Sequence, residues 1–289
     1  MLSSVQWQQV DALLALALAE DVGDGDVTTA ILAPAAARLS AAFVARRAGV
    51  LSGGEIVRRF FAFLDPEVTV TPLVADGEPI TAGQPLLKIA GAARSILTGE
   101  RVSLNFLQRM SGVATVTRRY VEAVRGTGAK IYDTRKTLPG HRALDKLAVA
   151  HGGGANHRLG LFDMILIKDN HLALAGIASP AEAVRRARSR SALPLMVEVD
   201  TLEQLRAVLP SAPDYILLDN MDAPTMREAV ALTAAAFPAE NSRPQLEASG
   251  GITLDNIRAV AETGVNRISV GALTHSVAAL DLGLDAIAP

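Results

Sequence analysis

The sequence predicts an α/β protein: a β/α barrel of at least six units behind a smaller N-terminal domain. Three observations carry this. From residue 130 short apolar runs recur (KIYDTRK, DMILIKDN, LMVEVD, YILLDN, QLEASGG, RISVGAL) with helical stretches such as TLEQLRAVL, APTMREAVALTAAA and TLDNIRAVAETG between them, the rhythm of a parallel sheet. The runs are nearly continuous in hydrophobicity, as in strands covered on both faces. Each run ends in polar or glycine residues, successive ends lie roughly 20 to 35 residues apart, and in a barrel all such ends open on one face. An open doubly wound sheet binds ligands only at its switch point. Six consecutive polar-ended strands favour the barrel.

The elements before residue 130 read in order. Residues 1–22 form a helix ending near Gly23. Residues 23–37 form a loop carrying Asp21, Asp24 and Asp26 at its start. Residues 38–95 alternate as short strands separated by Gly and Pro turns. Residues 96–125 are helical, with Arg101, Asn105 and Gln108 on one face at i, i+4 and i+7. The boundary falls at residue 110: a domain over 1–110, joined by the tail 276–289, and a barrel over 111–275.

Composition narrows the function. The 289 residues are 49 % hydrophobic and 20 % charged, ordinary globular values that exclude disorder, collagen and coiled coil. A net charge of −2 argues against nucleic acid as the partner, since phosphate backbones select basic surfaces. With no cysteine there is no thiolate chemistry of any kind. The run Ala12–Ala19 has no basic residue before it and contains no signal-peptide pattern, no run is long enough for a membrane span, and a cytoplasmic protein is expected.

The strand ends carry the candidate chemistry. Arg135, Lys136, Arg158 and Lys168, two of them among the chain's five lysines, make a cationic cluster with Thr134 and His157 alongside. Lys168 closing the apolar run MILI is costly unless paired or bound, and the cluster suits a dicarboxylate or phosphate. Glu198 and Asp219 end neighbouring strands; a Mg²⁺ site, a general acid/base pair and simple ion pairs all fit them. Ser249, Gly250 and Gly251, with Val270, Gly271 and Ala272, read as a phosphate cradle in which glycine lets backbone N–H groups approach, with the TLDNIRAV helix N-terminus aimed at it. Lys168 at a barrel strand end also fits an imine-forming lyase.

Taken together, DTRKTLPG (133–140), GGGANHRLGLFDMILIKDNH (152–171), EVD (198–200), LLDNM (217–221), EASGGI (247–252) and ISVGALTHS (268–276), with EDVGDGDVTT (20–29) and GERVSLNFLQRMSGVAT (99–115), resemble the quinolinate phosphoribosyltransferases over nearly the whole chain. The resemblance implies an N-terminal α/β sandwich and an incomplete barrel of about seven strands. It implies decarboxylating transfer of phosphoribose from phosphoribosyl pyrophosphate to quinolinate, with Mg²⁺, in NAD biosynthesis. It also implies that Arg135, Lys136, His157, Arg158 and Lys168 hold the pyridine dicarboxylate and neighbouring phosphates. Glu198 and Asp219 would stand on the ribose and metal side, and Ser249–Gly251 with Val270–Ala272 would take the 5′-phosphate. Lys136, Lys168, Glu198 and Asp219 would carry the catalysis, and Arg101 would reach the partner's site in a homodimer. His141 departs from the apolar residue usual after TRKT-x-PG.

Overall fold

The structure, a computed structural model, describes residues 2–177 and 179–287. Contacts among them divide the chain into two units. The first holds the chain up to Arg118, Thr137–Gly153 and the chain from Ala272 onward; the second holds Arg119–Lys136 and Gly154–Gly271.

In the first unit, helix α1 (Ser4–Val22) begins at a reciprocal cap, the Ser3 hydroxyl accepting from the Gln6 N–H and the Gln6 side chain accepting from the Ser3 N–H, and stops at Gly23 with φ +52°. The expected loop then contains a helix, α2 (Val27–Leu32). Asp26 caps it, Oδ1 accepting from the Thr29 N–H at 2.9 Å, while Oδ2 accepts from Thr98 at 3.1 Å. Six residues are too few for periodicity to reveal a helix, and this acidic residue serves as a cap rather than in chemistry.

Strands β1 (Arg38–Ala45) and β2 (Gly49–Val50) follow, then α3 (Gly54–Leu64), which the strand expectation over 38–95 lacked. Ile56, Val57, Phe60 and Phe61 fall at helical spacing and are fully buried. Strands β3 (Thr69–Pro72), β4 (Pro79–Ile80) and β5 (Pro85–Ala92) precede the single long helix α4 (Ala93–Ala123). Strand β6 (Lys130–Tyr132) opens the second unit's sheet, and α5 (Arg142–His151) returns to the first unit. The second unit continues with β7 (Ile165–Ile167), α6 (Asp169–Ala175), α7 (Pro180–Arg188), β8 (Leu195–Val199), α8 (Leu202–Val208), β9 (Tyr215–Asp219), α9 (Ala223–Ala236), β10 (Gln245–Ser249), α10 (Ile257–Ala261) and β11 (Arg267–Ser269). The chain ends in α11 (Ala272–His275) and β12 (Leu282–Ala286).

The first unit's main sheet has the order β12-β1-β5-β3 and is antiparallel throughout, so the last strand covers the edge of the first. Its core is built from Phe43, Phe60, Phe61, Leu86, Leu87, Ile89, Leu104 and Leu107. On α4, the expected polar face splits: Arg101 and Asn105 are exposed, but Gln108 is used internally, donating from Nε2 to Leu282 O at 2.7 Å. A fully buried carboxylate, Asp145, is held by Arg109 at 3.0 Å.

The second unit is a six-stranded parallel sheet in the order β6-β11-β10-β9-β8-β7. β6 and β7 form its edges, and Ala155 adds a single parallel bridge to Tyr132. Both faces are largely buried, as the near-continuous runs predict, but they differ in chemistry. One face carries Val197, Ile216, Leu218, Leu246, Ala248 and Ile268, all buried. The other carries Glu198, Leu217, Asp219, Glu247, Ser249, Arg267 and Ser269. In-register neighbours on that face include Glu198 with Leu217, Glu247 with Leu217, Glu247 with Arg267, and Ser249 with Asp219. Because side chains alternate along a strand, a polar strand end brings with it every second residue behind it.

Gly112 lies inside α4, where a Cβ would sit 2.4 Å from the backbone oxygen of Ala278. Helix propensity favours Gly112→Ala by about 1 kcal/mol. The clash with a backbone atom costs about 1–3 kcal/mol and wins. Urea denaturation is expected to show the variant less stable than the parent; an equal or higher midpoint would contradict this packing.

Candidate active site

The charged face of the parallel sheet ends in a pocket of about 530 Å³, within the size range of small-molecule sites. Its walls come from every strand of this sheet but β8: Thr134, Arg135 and Lys136 after β6, Leu166 and Lys168 on and after β7, Leu217, Asp219 and Asn220 at β9, Glu247, Ser249, Gly250 and Gly251 at and after β10, and Ser269 at β11, with His157 and Arg158 from the loop before β7. Parallel strands start on one side of the sheet and finish on the other, so their C-terminal ends converge without any loop having to travel.

Arg158 is 9 % exposed and its Nε is buried without a hydrogen-bond partner, although Nη1 donates to Met164 O at 3.1 Å. Burial, reinforced by the neighbouring Arg135, pulls its guanidinium pKa down, against the opposing charge of Asp163. A buried cation beside a second cation is an arrangement that an anion stabilises. Asp163 also fixes the loop, accepting from the N–H groups of Leu159 and Gly160 at 2.6 and 2.9 Å. Beside this loop the Thr134 hydroxyl accepts from the Lys136 N–H at 3.0 Å, and Lys136 stands exposed.

Lys168 donates to Glu198 at 2.5 Å. The Glu198 side chain is 8 % exposed and that of Lys168 44 %, so the carboxylate is satisfied by the strand-end lysine and adjoins the pocket through it. Asp219 keeps a wall position, its Oδ2 accepting from Asn220 Nδ2 at 2.8 Å. Among the described residues no group of three or more His, Asp or Glu side chains is placed to hold a metal ion. The donor set suits a Mg²⁺ ion that keeps waters and substrate oxygens and takes at most one or two carboxylates.

The Ser249–Gly251 side is built by a close approach. Gly250 has φ +93°, and a Cβ there would fall 2.0 Å from Asn220 Oδ1. Asn220 itself has φ +53°, and its N–H donates to Ser249 O at 2.9 Å. Val270, Gly271 and Ala272 are not among the lining residues; Val270 is buried and donates its N–H to Tyr132 O. The expected helix N-terminus is displaced too, since α10 starts only at Ile257 and the intervening turn is tied by Asn256, whose Nδ2 donates to Gly251 O at 2.9 Å. Arg101 lies exposed in the first unit. His141 lines a smaller groove of about 230 Å³ there, stacked on Phe106 at 5.7 Å with its Nδ1 buried and unbonded.

Residues 26–111 match the quinolinate phosphoribosyl transferase N-terminal domain, and residues 113–285 match the C-terminal domain of the same name. The chain belongs to the quinolinate phosphoribosyltransferase family. It is 47 % identical over 289 residues to the nicotinate-nucleotide pyrophosphorylase (carboxylating) of Mycobacterium leprae, covering 99 % of this chain and 100 % of that one. It is 42 % identical to the probable enzyme of that name from Bacillus subtilis, covering 96 % and 93 %. The nicotinate-nucleotide pyrophosphorylase structure from Francisella tularensis superposes with a TM-score of 0.88 at 37 % identity, covering 97 % and 96 %.

Among the pocket residues of this quinolinate phosphoribosyltransferase, sequence reasoning missed Leu166, Leu217, Asn220, Glu247 and Ser269. Four carried a usable signal: Leu166, Leu217 and Glu247 lie two residues before the strand-end residues Lys168, Asp219 and Ser249, and Ser269 lies two before Gly271. Asn220 lies within LLDNM but carries no signal of its own, because its importance comes from a positive φ that the sequence does not display.

Gly250→Ala is expected to weaken binding of phosphoribosyl pyrophosphate at least tenfold by calorimetry, because the new methyl group must push Asn220 away and the loop with it. Undiminished binding would show that this crossing does not shape the anion loop.

Proposed function

We propose that this chain joins quinolinate to phosphoribosyl pyrophosphate, giving nicotinate mononucleotide, pyrophosphate and CO₂, in de novo NAD biosynthesis. The observation that carries the reading is the buried, incompletely bonded Arg158 beside Arg135, within a pocket that the Ser249–Gly251 loop also lines. The cations suit a dicarboxylate and the glycine loop a phosphate, and the pocket volume admits both.

The chemistry follows from those positions. Arg135, His157 and Arg158 orient the pyridine dicarboxylate. Lys136 and Lys168 offset the charge of the phosphates. Ser249, Gly250 and Gly251 take the 5′-phosphate. The ring nitrogen forms its bond to the anomeric carbon as the bond to pyrophosphate breaks. The transition state has oxocarbenium character, and Asp219 is the carboxylate free to face it, since Glu198 is occupied by Lys168. When CO₂ leaves, the electron pair of the broken bond stays on the carbon next to the positively charged ring nitrogen and is then protonated, so no imine or separate electron sink is needed. Asp219 would hold Mg²⁺ on the pyrophosphate side, with Glu198 a second ligand only where the ion displaces Lys168, and the metal would offset the leaving group's charge. The lyase alternative fits less well, because a lysine held in an ion pair is a poor amine nucleophile.

The six-stranded sheet is then the wall of an incomplete barrel; the isolated bridge between Ala155 and Tyr132 supports a further short strand beside β6. The enzyme works in the cytoplasm as a homodimer, each subunit lending Arg101 to its partner's site; the exposure of Arg101 and Asn105 supports that use of α4. The deciding assay mixes the protein with Mg²⁺, quinolinate and phosphoribosyl pyrophosphate and looks for nicotinate mononucleotide and CO₂; absence of both products refutes the proposal.

Two predictions follow from this site. Nicotinate lacks the carboxylate beside the ring nitrogen and forfeits one charge-assisted contact with Arg135 or Arg158. Loss of one charge-assisted contact, ~1.5–3 kcal/mol, lowers kcat/KM at least about tenfold; equal turnover would contradict the assignment. For the dimer, Arg101→Ala and Lys168→Ala homodimers are each expected to be nearly inactive. Subunit exchange at equal amounts should restore roughly a quarter of parental activity, since about half the dimers then hold one intact site. Heterodimers verified by mass spectrometry with no gain in activity would exclude a shared site.

A further inference from the structure

Beneath the pocket lies a buried charge pair that the chemistry above does not use. Glu247 is fully buried and Arg267 is 5 % exposed. They face each other in register on β10 and β11, with Arg267 Nε donating to Glu247 Oε2 at 2.7 Å. The guanidinium is also sandwiched between two rings of the same sheet face, 3.7 Å from the Tyr132 centroid and 4.5 Å from that of Tyr215. Arg267 therefore has little freedom, and the carboxylate it grips is fixed with it.

The other oxygen of Glu247 faces the site. Oε1 lies 3.4 Å from His157 Nε2, an ion-pair distance, and makes no hydrogen bond. The second nitrogen of that imidazole is engaged as well: Nδ1 accepts from the Arg158 N–H at 2.8 Å. A nitrogen that accepts from an N–H carries no hydrogen of its own, so the ring hydrogen sits on Nε2, the nitrogen nearest the carboxylate. The His157 N–H is anchored by the buried Asp133, Oδ1 accepting at 2.8 Å. The contacts thus run from Arg267 through Glu247 to the His157 ring, and from the ring to the backbone of Arg158.

We infer that Glu247 is a positioning residue: held by Arg267, it fixes the tautomer and orientation of His157, and through His157 the backbone that presents Arg158 to the dicarboxylate. The inference rests on the function proposed above for its bearing on quinolinate, but the geometry it describes belongs to the protein alone. Charge explains the device. A carboxylate beside Arg135 and Arg158 would compete with an anionic substrate for them. Arg267 offsets the charge of Glu247 from below, so the carboxylate can hold His157 while the upper cations stay available to the substrate.

Glu247→Gln tests this. Glutamine is isosteric but offers one acceptor and one donor group. Its oxygen is claimed by Arg267, so its NH₂ meets the Nε2–H of His157, donor against donor. With ¹⁵N-labelled histidine, His157 assigned by its loss in His157→Gln, the parent is expected to show the Nε2–H tautomer, and Glu247→Gln a changed tautomer or a mixture. In kinetics the variant should raise KM for quinolinate about tenfold while KM for phosphoribosyl pyrophosphate stays within about twofold. A purely structural carboxylate would lower thermal stability and leave the tautomer as it is. An Nδ1–H tautomer in the parent, or a folded variant with unchanged tautomer and unchanged quinolinate KM, overturns the inference. Should Glu247→Gln fail to fold, the parent spectrum alone decides. A protein without transferase activity would refute the proposed function, while the tautomer measurement would still judge the geometry.

Discussion

The salt bridge between Glu247 and Arg267 is the interaction on which the site's architecture depends. A carboxylate placed under a cluster of cations competes with an anionic substrate for them unless its own charge is offset from the far side. The sheet achieves this in layers. Arg267, flanked by Tyr132 and Tyr215, secures Glu247; the next layer up carries Asp219, Ser249 and Ser269; the loops above carry Arg135, Lys136 and Arg158. Removing the arginine would leave a buried carboxylate uncompensated, and removing the carboxylate would leave a buried guanidinium with only aromatic faces for company.

This layering is what a parallel sheet supplies. Adjacent strands run in the same direction, so equivalent positions on all of them stand at the same depth, and alternation selects one side chain in two for the face that carries the chemistry. The apolar face, with Val197, Ile216, Leu218, Ala248 and Ile268, provides the burial that drives the sheet together. One set of strands thus separates stability from chemistry by parity alone.

Much of this was legible in the sequence, and the exceptions have physical causes. The strand-end residues Lys168, Asp219 and Ser249 stood out because each breaks an apolar run, and the six strands were each found. Glu247 and Arg267 did not stand out: they sit inside runs taken to be apolar throughout, and a single charge in such a run looks incidental until parity is applied backward from the polar end. Asp26 was noticed as part of an acidic cluster, but a cap needs only local geometry and leaves no long-range pattern. Helix α3 was hidden among strands because its apolar residues are bulky and β-forming as well as helically spaced. Gln108 matched the exposed face in spacing, yet the return of the C-terminal strand, which no local pattern announces, gave it a backbone partner.

The crossing of Asn220 and Gly250 also constrains how the sequence can vary. Asn220 holds a backbone conformation that few residues accept, and its side-chain oxygen occupies the space a methyl group at position 250 would need. Neither position can drift alone: a larger residue at 250 needs a smaller one at 220, and the smaller one gives up the amide that steadies Asp219. Two sites thirty places apart in the chain thus behave as one unit of inheritance, and their substitutions combine non-additively.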